Sequence, residues 1–183
     1  CILLLGIPGM ELNTSEEVHV LCLFKKLEDA ERFSKLVYDS LPDVKNRSDI
    51  FGDQLYMDEF DNVTAAEEKL LIQASSIGIY DVKPLVESFG GTAFPAHIDR
   101  QSNSLLNNLG LWDPAMGFEL AELSAGCPIG FAQSRKDLLG LRTIRGTDAH
   151  RLEQIPVEPG QFMEIESLST DCVFDWLTGK SNT

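Results

Sequence analysis

The chain has 183 residues, 43 % of them hydrophobic, which is enough to build one sizeable core. We therefore expect residues 1–183 to form a single domain. The formal net charge is −14 at neutral pH, so clustered cations of the kind that bind nucleic-acid phosphates are scarce. From this charge we predict no long nucleic acid as a partner, although an acidic surface is also typical of a well-solvated protein with no special partner.

The cysteines and the apolar start predict a cellular location. The cysteines are Cys1, Cys22, Cys127 and Cys172. They show no CxxC spacing and are too sparse for the disulfide framework of a small secreted domain. The apolar residues 1–5 are too few to cross a membrane, and no charged segment of a signal peptide precedes them. We predict a cytoplasmic chain with no membrane partner, and nothing in the sequence predicts its oligomeric state.

Short apolar runs alternate with amphipathic segments along the chain. From apolar and β-branched runs we predict strands at residues 2–7, 18–24, 92–100, 117–124, 142–144 and 162–165. From apolar spacing, caps and Pro or Gly stops we predict helices at residues 26–41, 64–74, 79–89, 102–109, 135–141 and 171–177. Residues 43–62 are typical of a loop, with an extended piece at 54–57. This alternation predicts an α/β fold with a largely parallel sheet or barrel, whose chemistry gathers at the C-terminal ends of the strands.

All the histidines of the chain lie in or directly after predicted strands. They are His19, His97 and His150, and the carboxylates nearest to them in sequence are Glu11, Asp99 and Asp148. One histidine in such a place is more often a buried ring bonded to the backbone than a metal ligand. Because all three histidines occupy such places, a shared site is favoured. Imidazole combined with carboxylate suits zinc, manganese or iron rather than calcium.

The segment around Asp148 has a chelating spacing. Asp148 and His150 are two residues apart, so on an extended strand they would project to the same side and reach one metal cluster. The same triplet is also common by chance. Gly146 permits an unusual backbone angle or the close approach of a substrate phosphate. Asp99 either orients a histidine beside the metal or caps the helix predicted at residues 102–109.

Separated pieces of the sequence resemble the later metal-ligand series of the PHP (polymerase and histidinol phosphatase) phosphoesterases. In the family's order they are Pro8-Gly9-Met10-Glu11, Glu17-Val18-His19-Val20, Pro95-Ala96-His97 and Gly146-Thr147-Asp148-Ala149-His150. The resemblance implies a distorted (β/α)7 barrel holding two or three zinc, manganese or iron ions at the strand ends. By the same resemblance Glu11 would bridge metals, and His19 and His97 would each bind one. Asp148 with His150 would complete the cluster.

The family's opening motifs, an HxH strand and an Asp-His pair, have no counterpart in the chain and would lie upstream of Cys1. The chain opens on a buried-type strand without an initiator Met. We therefore interpret it as the C-terminal part of a PHP-type barrel that lacks its N-terminal strand-helix units. The alternative is a depleted site with weak metal affinity.

The resemblance implies a metal-dependent phosphoesterase that hydrolyses small phosphomonoesters or nucleotide phosphates. A metal-activated water would attack phosphorus, and Glu11, His97 and Asp148 would carry the catalysis. We predict that Arg100 and Arg145 bind the substrate phosphate, with a surface ion pair as the alternative for each. A non-catalytic, degenerate PHP-like binding module and a metal-dependent amidohydrolase remain open as alternative functions.

Overall fold

A computed structural model describes residues 4–155 and 162–180. The strands are β1 (Gly9–Asn13), β2 (His19–Phe24), β3 (Leu55–Met57), β4 (Val63–Ala66), β5 (Gly91–Pro95), β6 (Leu120–Ser124) and β7 (Arg142–Gly146). The α-helices are α1 (Leu27–Ser40), α2 (Ser48–Phe51), α3 (Ile79–Ser88), α4 (Leu105–Leu109), α5 (Phe131–Ser134) and α6 (Thr170–Leu177). Short 3-10 turns lie at Pro114–Met116, Lys136–Leu138 and Leu152–Gln154. None of the helices in the described ranges is both long and apolar enough to span a bilayer.

The centre of the fold is a three-stranded antiparallel sheet with the order β1-β2-β5. In β2 the side chains alternate, so Val20, Cys22 and Phe24 are fully buried on one face. That face packs in one apolar cluster with residues of α1 and α3. In α1 the buried residues Phe33 and Val37 are one helical turn apart, which places both on the side facing the sheet.

A second unit of the fold is the parallel pair of β6 and β7. The connection between them contains α5 and the 3-10 turn Lys136–Leu138. One backbone hydrogen bond of 2.9 Å, from the amide of Ile98 to the carbonyl of Glu122, joins the segment after β5 to β6. The end of β5 therefore lies beside β6, and the two sheet units meet there.

The predicted mixture of strands and helices is confirmed, but the predicted sheet is wrong. The described strands form small sheets without a closed barrel, and the central one is antiparallel. The reason is the connection between β1 and β2, which comprises only residues 14–18. Parallel strands need a crossover of roughly a dozen residues or more, so this short turn dictates antiparallel pairing.

The first strand lies later in the chain than predicted. Residues 4–8 have no regular structure, β1 begins at Gly9, and residues 1–3 of the predicted strand lie outside the described residues. Gly9 pairs with Leu23 instead of ending a strand. A Cβ atom on Gly9 would lie 2.7 Å from the carbonyl oxygen of Cys22, so this close approach requires glycine. As a result, Glu11 lies within β1 and not just past its end.

Other elements also differ from the prediction. The helix predicted at residues 64–74 is wrong, because β4 pairs there with β3 in an antiparallel hairpin that the β-branched Val63 and Thr64 favour. The predicted extended piece at residues 54–57 is confirmed by β3. No strand lies at residues 162–165, and the helix predicted at 135–141 is only the turn Lys136–Leu138. The prediction of a single domain over residues 1–183 stays a prediction.

Candidate metal centre

Glu11, His19 and His97 meet at one end of the central sheet. In the register of β1 and β2, Asn13 is opposite His19 and Glu11 is opposite Leu21. Opposed residues, and residues two apart on one strand, point to the same face of a sheet. Glu11 and His19 are therefore diagonal neighbours on one face. The antiparallel register brings them together, not a shared edge of parallel strands.

His97 reaches this group from the turn after β5. The amide of Ala96 donates to the carbonyl of His19 at 2.9 Å, which keeps this turn beside β2. His97 itself has a φ of 31°, in the left-handed region, so the alternation of the strand no longer fixes the direction of its side chain. Its ring packs on that of His19, with the centroids 5.3 Å apart and the planes at 64°. His97 is 2 % exposed.

The donor atoms of the three residues lie close together. Oε1 of Glu11 is 3.3 Å from Nδ1 of His19 and 3.2 Å from Nε2 of His97. One donor atom from each residue lies within 4.8 Å of the other two. Donors that bind one ion at about 2.1 Å are roughly 3–4 Å apart, so the spacing suits a single cation. The side chain of Glu11 keeps 30 % of its exposure, which leaves the group accessible from solvent.

The electrostatics and the unpaired atoms of this group also fit a cation. Burial alone would raise the pKa of Glu11, but the rings of His19 and His97 outweigh it and hold that pKa well below its usual range. Within the described residues, Nδ1 of His19, 3.3 Å from Oε1 of Glu11, is buried without a hydrogen-bond partner. The same holds for Nδ1 of His97, whose other ring nitrogen is the one beside Glu11. A buried nitrogen left unpaired costs free energy. An ionised carboxylate beside the unpaired Nδ1 of His19 and the Nε2 of His97 therefore fits a divalent metal ion.

The structure does not bring Asp148 and His150 into this group. β7 ends at Gly146 and Asp148 has a φ of 49°, so the two residues do not lie on an extended strand as expected. The carboxylate of Asp148, 18 % exposed, pairs with the guanidinium of Arg100. The side chain of His150 is 74 % exposed, and its Nδ1 lies 2.8 Å from the backbone oxygen of Asp148. Their roles as metal ligands stay predictions.

The two arginines expected to bind phosphate differ in their contacts. Arg145 donates to the backbone carbonyls of Ser124, Ala125 and Cys127 at 3.2, 3.4 and 2.8 Å, so it fastens the loop after β6. Arg100 forms the ion pair with Asp148 and keeps 38 % of its side-chain exposure. For both residues the role in substrate binding stays a prediction.

Asp99 has a different role from the two that were expected. Its carboxylate accepts hydrogen bonds from the amide of Ser124 at 2.7 Å and from the Oγ of Ser124 at 2.5 Å. Burial raises the pKa of Asp99, but these hydrogen bonds outweigh it and the pKa is lowered. The cap of α4 is the side chain of Ser104, which accepts from the amide of Asn107. Asp99 therefore links the turn that carries His97 to the end of β6.

Sequence reasoning missed Glu122, which lies on β6 and is 7 % exposed. Its backbone carbonyl accepts from the amide of Ile98 at 2.9 Å, which places Glu122 beside the turn of His97. Burial raises the pKa of Glu122, as do the negative charges of Glu11 and Asp148, against the opposite effect of His97. The sequence signal was weak, because the predicted strand 117–124 holds two acids, Glu119 and Glu122, and only the structure shows that the second is the buried one.

Comparisons with known proteins show a likeness of fold. No protein-family model matches the chain, and no curated protein matches it. Among solved structures, the lesion-specific endonuclease PfuEndoQ from Pyrococcus furiosus is similar with a TM-score of 0.65 and 14 % sequence identity. The similarity covers 94 % of this chain and 38 % of the endonuclease. The endonuclease has a PHP fold, so the likeness supports a PHP-like fold for the chain.

The predicted exclusion of nucleic acid is wrong. A protein that shares this fold is a lesion-specific endonuclease, and nothing supports a small phosphorylated compound as the partner. The physical reason is that net charge is a sum over the whole chain, whereas contacts with phosphate depend on local charge. A metal ion bound at a cluster of carboxylate and imidazole is often the largest local charge and reverses the sign of the field there.

Proposed function

We propose that the chain carries a divalent metal centre of a metal-dependent hydrolase that cleaves phosphate esters. The observation that supports this is the convergence of Glu11, His19 and His97 with donor atoms within 4.8 Å of one another. Their mixture of imidazole and carboxylate suits zinc, manganese or iron. The PHP-like fold is consistent with the resemblance of the sequence to metal-dependent phosphoesterases.

Each residue would have a defined task. A bound ion supplies a Lewis acid and lowers the pKa of a bound water toward neutrality. Glu11 provides the negative donor, and its lowered pKa keeps it ionised at neutral pH. His97, which is almost fully buried, provides a fixed donor. His19, at the start of β2, provides the third donor. Arg100 follows on the same turn, where its amide donates to the carbonyl of His97 at 3.0 Å, and its guanidinium, which is paired with Asp148, would exchange that partner for a phosphate oxygen.

The substrate class needs a test that includes nucleic acid. The neighbour in fold is a lesion-specific endonuclease, which makes a phosphodiester a reasonable substrate for this chain too. The acidic excess of the chain argues for contacts limited to the metal centre and the nearby arginines. Because the chain spans 38 % of that endonuclease, the activity of any longer protein to which it belongs is also part of the proposal.

The test is a hydrolysis assay of the chain with zinc or manganese against bis(p-nitrophenyl) phosphate, p-nitrophenyl phosphate and a lesion-containing oligonucleotide. We expect metal-dependent cleavage of at least one substrate, reduced by about 100-fold or more in His97→Asn because a donor to the ion is lost. The exposed Glu68→Gln serves as the control for a change of side chain away from the site. Metal binding without cleavage of any substrate would favour the non-catalytic binding module, and cleavage unaffected by His97→Asn would contradict the proposed site.

A further inference from the structure

Unpaired buried atoms are concentrated at one corner of the structure. Within the described residues, four side-chain atoms are buried without a hydrogen-bond partner, namely Oδ1 of Asn13, Nδ1 of His19, Oδ1 of Asn46 and Nδ1 of His97. The two histidines belong to the candidate metal centre, and Asn13 is the residue opposite His19 in the register of β1 and β2. Buried polar atoms normally have partners, so three unpaired atoms at one place indicate a missing ligand.

Asn13 lies on the same face of the sheet as the rest of this group. Residues two apart on a strand, and residues directly opposite, point to one face, so Asn13 neighbours Glu11 along β1 and His19 across to β2. Leu12, between Glu11 and Asn13, is 1 % exposed and packs in the apolar core behind the sheet. Opposed Cβ atoms are about 4.5–5.5 Å apart, so the amide of Asn13 can reach an ion bound by His19.

The backbone holds Asn13 in place, but its side chain has no structural contact. Its carbonyl accepts from the amide of Ser75, which is 3 % exposed, at 2.9 Å. Within the described residues, no hydrogen bond is formed by the side-chain amide. Asn46 differs in this respect, because its Nδ2 donates to the carbonyl of Gly52 at 2.9 Å. The amide of Asn13 is therefore a fixed polar group without a partner in the fold.

We propose that the amide oxygen of Asn13 is a further donor of the metal centre, which then offers two oxygens and two imidazole nitrogens. This inference rests on the proposed function, because it needs the ion held by Glu11, His19 and His97. Carboxylate and carbonyl oxygens suit Mn²⁺, whereas Zn²⁺ is often held by three protein donors with water in the fourth position. Asn13 should therefore contribute more to the binding of Mn²⁺ than to that of Zn²⁺.

The experiment compares Asn13→Ala and Asn13→Asp with the wild-type chain. Asn46→Ala is the matched control, since it removes an unpaired buried oxygen outside the group. The EPR signal of free Mn²⁺ measures the Mn²⁺ affinity, and competition with a chromogenic chelator measures the Zn²⁺ affinity. We expect Asn13→Ala to bind Mn²⁺ about 10–100-fold more weakly and Zn²⁺ by less than about tenfold more weakly. Asn13→Asp keeps an oxygen and should bind Mn²⁺ at least as tightly as the wild type, and Asn46→Ala should change neither affinity.

Thermal unfolding separates a role in metal binding from a role in the fold. Because the Asn13 side chain has no hydrogen bond to lose, Asn13→Ala without metal should have the Tm of the wild type. On addition of Mn²⁺ its Tm should rise less than that of the wild type, because a more weakly bound ligand stabilises the folded state less. A Tm that falls without metal, and then rises with Mn²⁺ as in the wild type, would assign Asn13 to the fold and overturn the inference.

The remaining outcomes separate the inference from the proposed function. Equal Mn²⁺ affinity in Asn13→Ala and the wild type would overturn the inference and leave the proposed function standing. Binding by Asn13→Asp as weak as that by Asn13→Ala would also overturn it, since an oxygen at this position would then not be what the ion needs. If the wild-type chain binds neither ion, the proposed metal centre fails and the donor role of Asn13 fails with it. Asn13→Leu, which has a similar volume, replaces Asn13→Ala if that variant does not fold.

Discussion

The end of the central sheet and the segment after β7 carry the two halves of the expected ligand set, and they are built differently. Glu11 and His19 lie on paired strands, where the register fixes their relative position to within one residue. Asp148 and His150 follow the last residue of β7 and have no strand partner. The first half forms a group, whereas the second half contains an ion pair and an exposed ring.

The difference shows what a position at a strand end implies. Such a position places a residue at the rim of a sheet, but only pairing or a further contact fixes where its side chain points. His97 lies outside regular strand pairing like Asp148, and both have a positive φ. His97 is nevertheless fixed, because the amides of Ala96 and Ile98 on either side of it bond to β2 and β6. Asp148 depends on Arg100, which is partly exposed.

The largest expected effect tests whether the packing behind the central sheet contributes more to the free energy of unfolding than the segment after β7. Phe33 is fully buried, with its ring 5.2 Å from that of Phe24 and 5.6 Å from that of Phe89. We expect Phe33→Ala to lower the free energy of unfolding by about 3–5 kcal/mol, since it leaves a cavity in the core behind β2. Leu152, beyond the Asp148 segment, is 82 % exposed, so Leu152→Ala should change the free energy of unfolding by no more than about 0.5 kcal/mol. Urea denaturation measures both, and equal losses would contradict the contrast between the two regions.

The next effect concerns metal affinity. Glu11 is the negative donor of the group, so Glu11→Gln should weaken Zn²⁺ binding by more than about 100-fold, beyond the range for residues that only orient a ligand. His150 lies outside the group, so His150→Ala should weaken binding by less than about tenfold. Competition with a chelator of known affinity measures both constants. The reverse ranking would mean that the segment after β7 supplies a ligand that the sheet does not.

The sequence predicted the elements better than their arrangement. The helical spacing of apolar residues correctly predicted α1, α3 and α6, since each must bury one face against the sheet. Pro8 and Gly9 suggested the end of a strand, but the carbonyl of Pro8 accepts from Phe24, and Gly9 is needed for close packing against Cys22. Local residue preferences do not record such contacts between distant parts of a chain, so the antiparallel sheet was not predictable from them.

For the site, residue types were informative and positions were not. The motifs selected Glu11, His19 and His97 without indicating that an antiparallel register brings the first two together. Glu122 was overlooked because a single acid in a strand is normally assigned to the solvent face. Its burial depends on the space at Gly146, which belongs to β7.

The smallest expected effect is the loss of the ion pair between Arg100 and Asp148. Because the two side chains are 38 % and 18 % exposed, solvent screens their attraction, and we expect a coupling free energy of at most about 1 kcal/mol. A double-mutant cycle of Arg100→Ala and Asp148→Ala, followed by urea denaturation, measures this coupling free energy. The coupling should be smaller in 1 M salt, because dissolved ions screen the attraction between two partly exposed charges. The cycle repeated with Zn²⁺ then bears directly on the contrast between the two regions. We expect the coupling to stay unchanged, because Asp148 lies outside the group formed by Glu11, His19 and His97. A carboxylate that moved to the ion would give up its bond to Arg100, so a coupling that disappears on adding Zn²⁺ would show that metal draws the segment after β7 into the site.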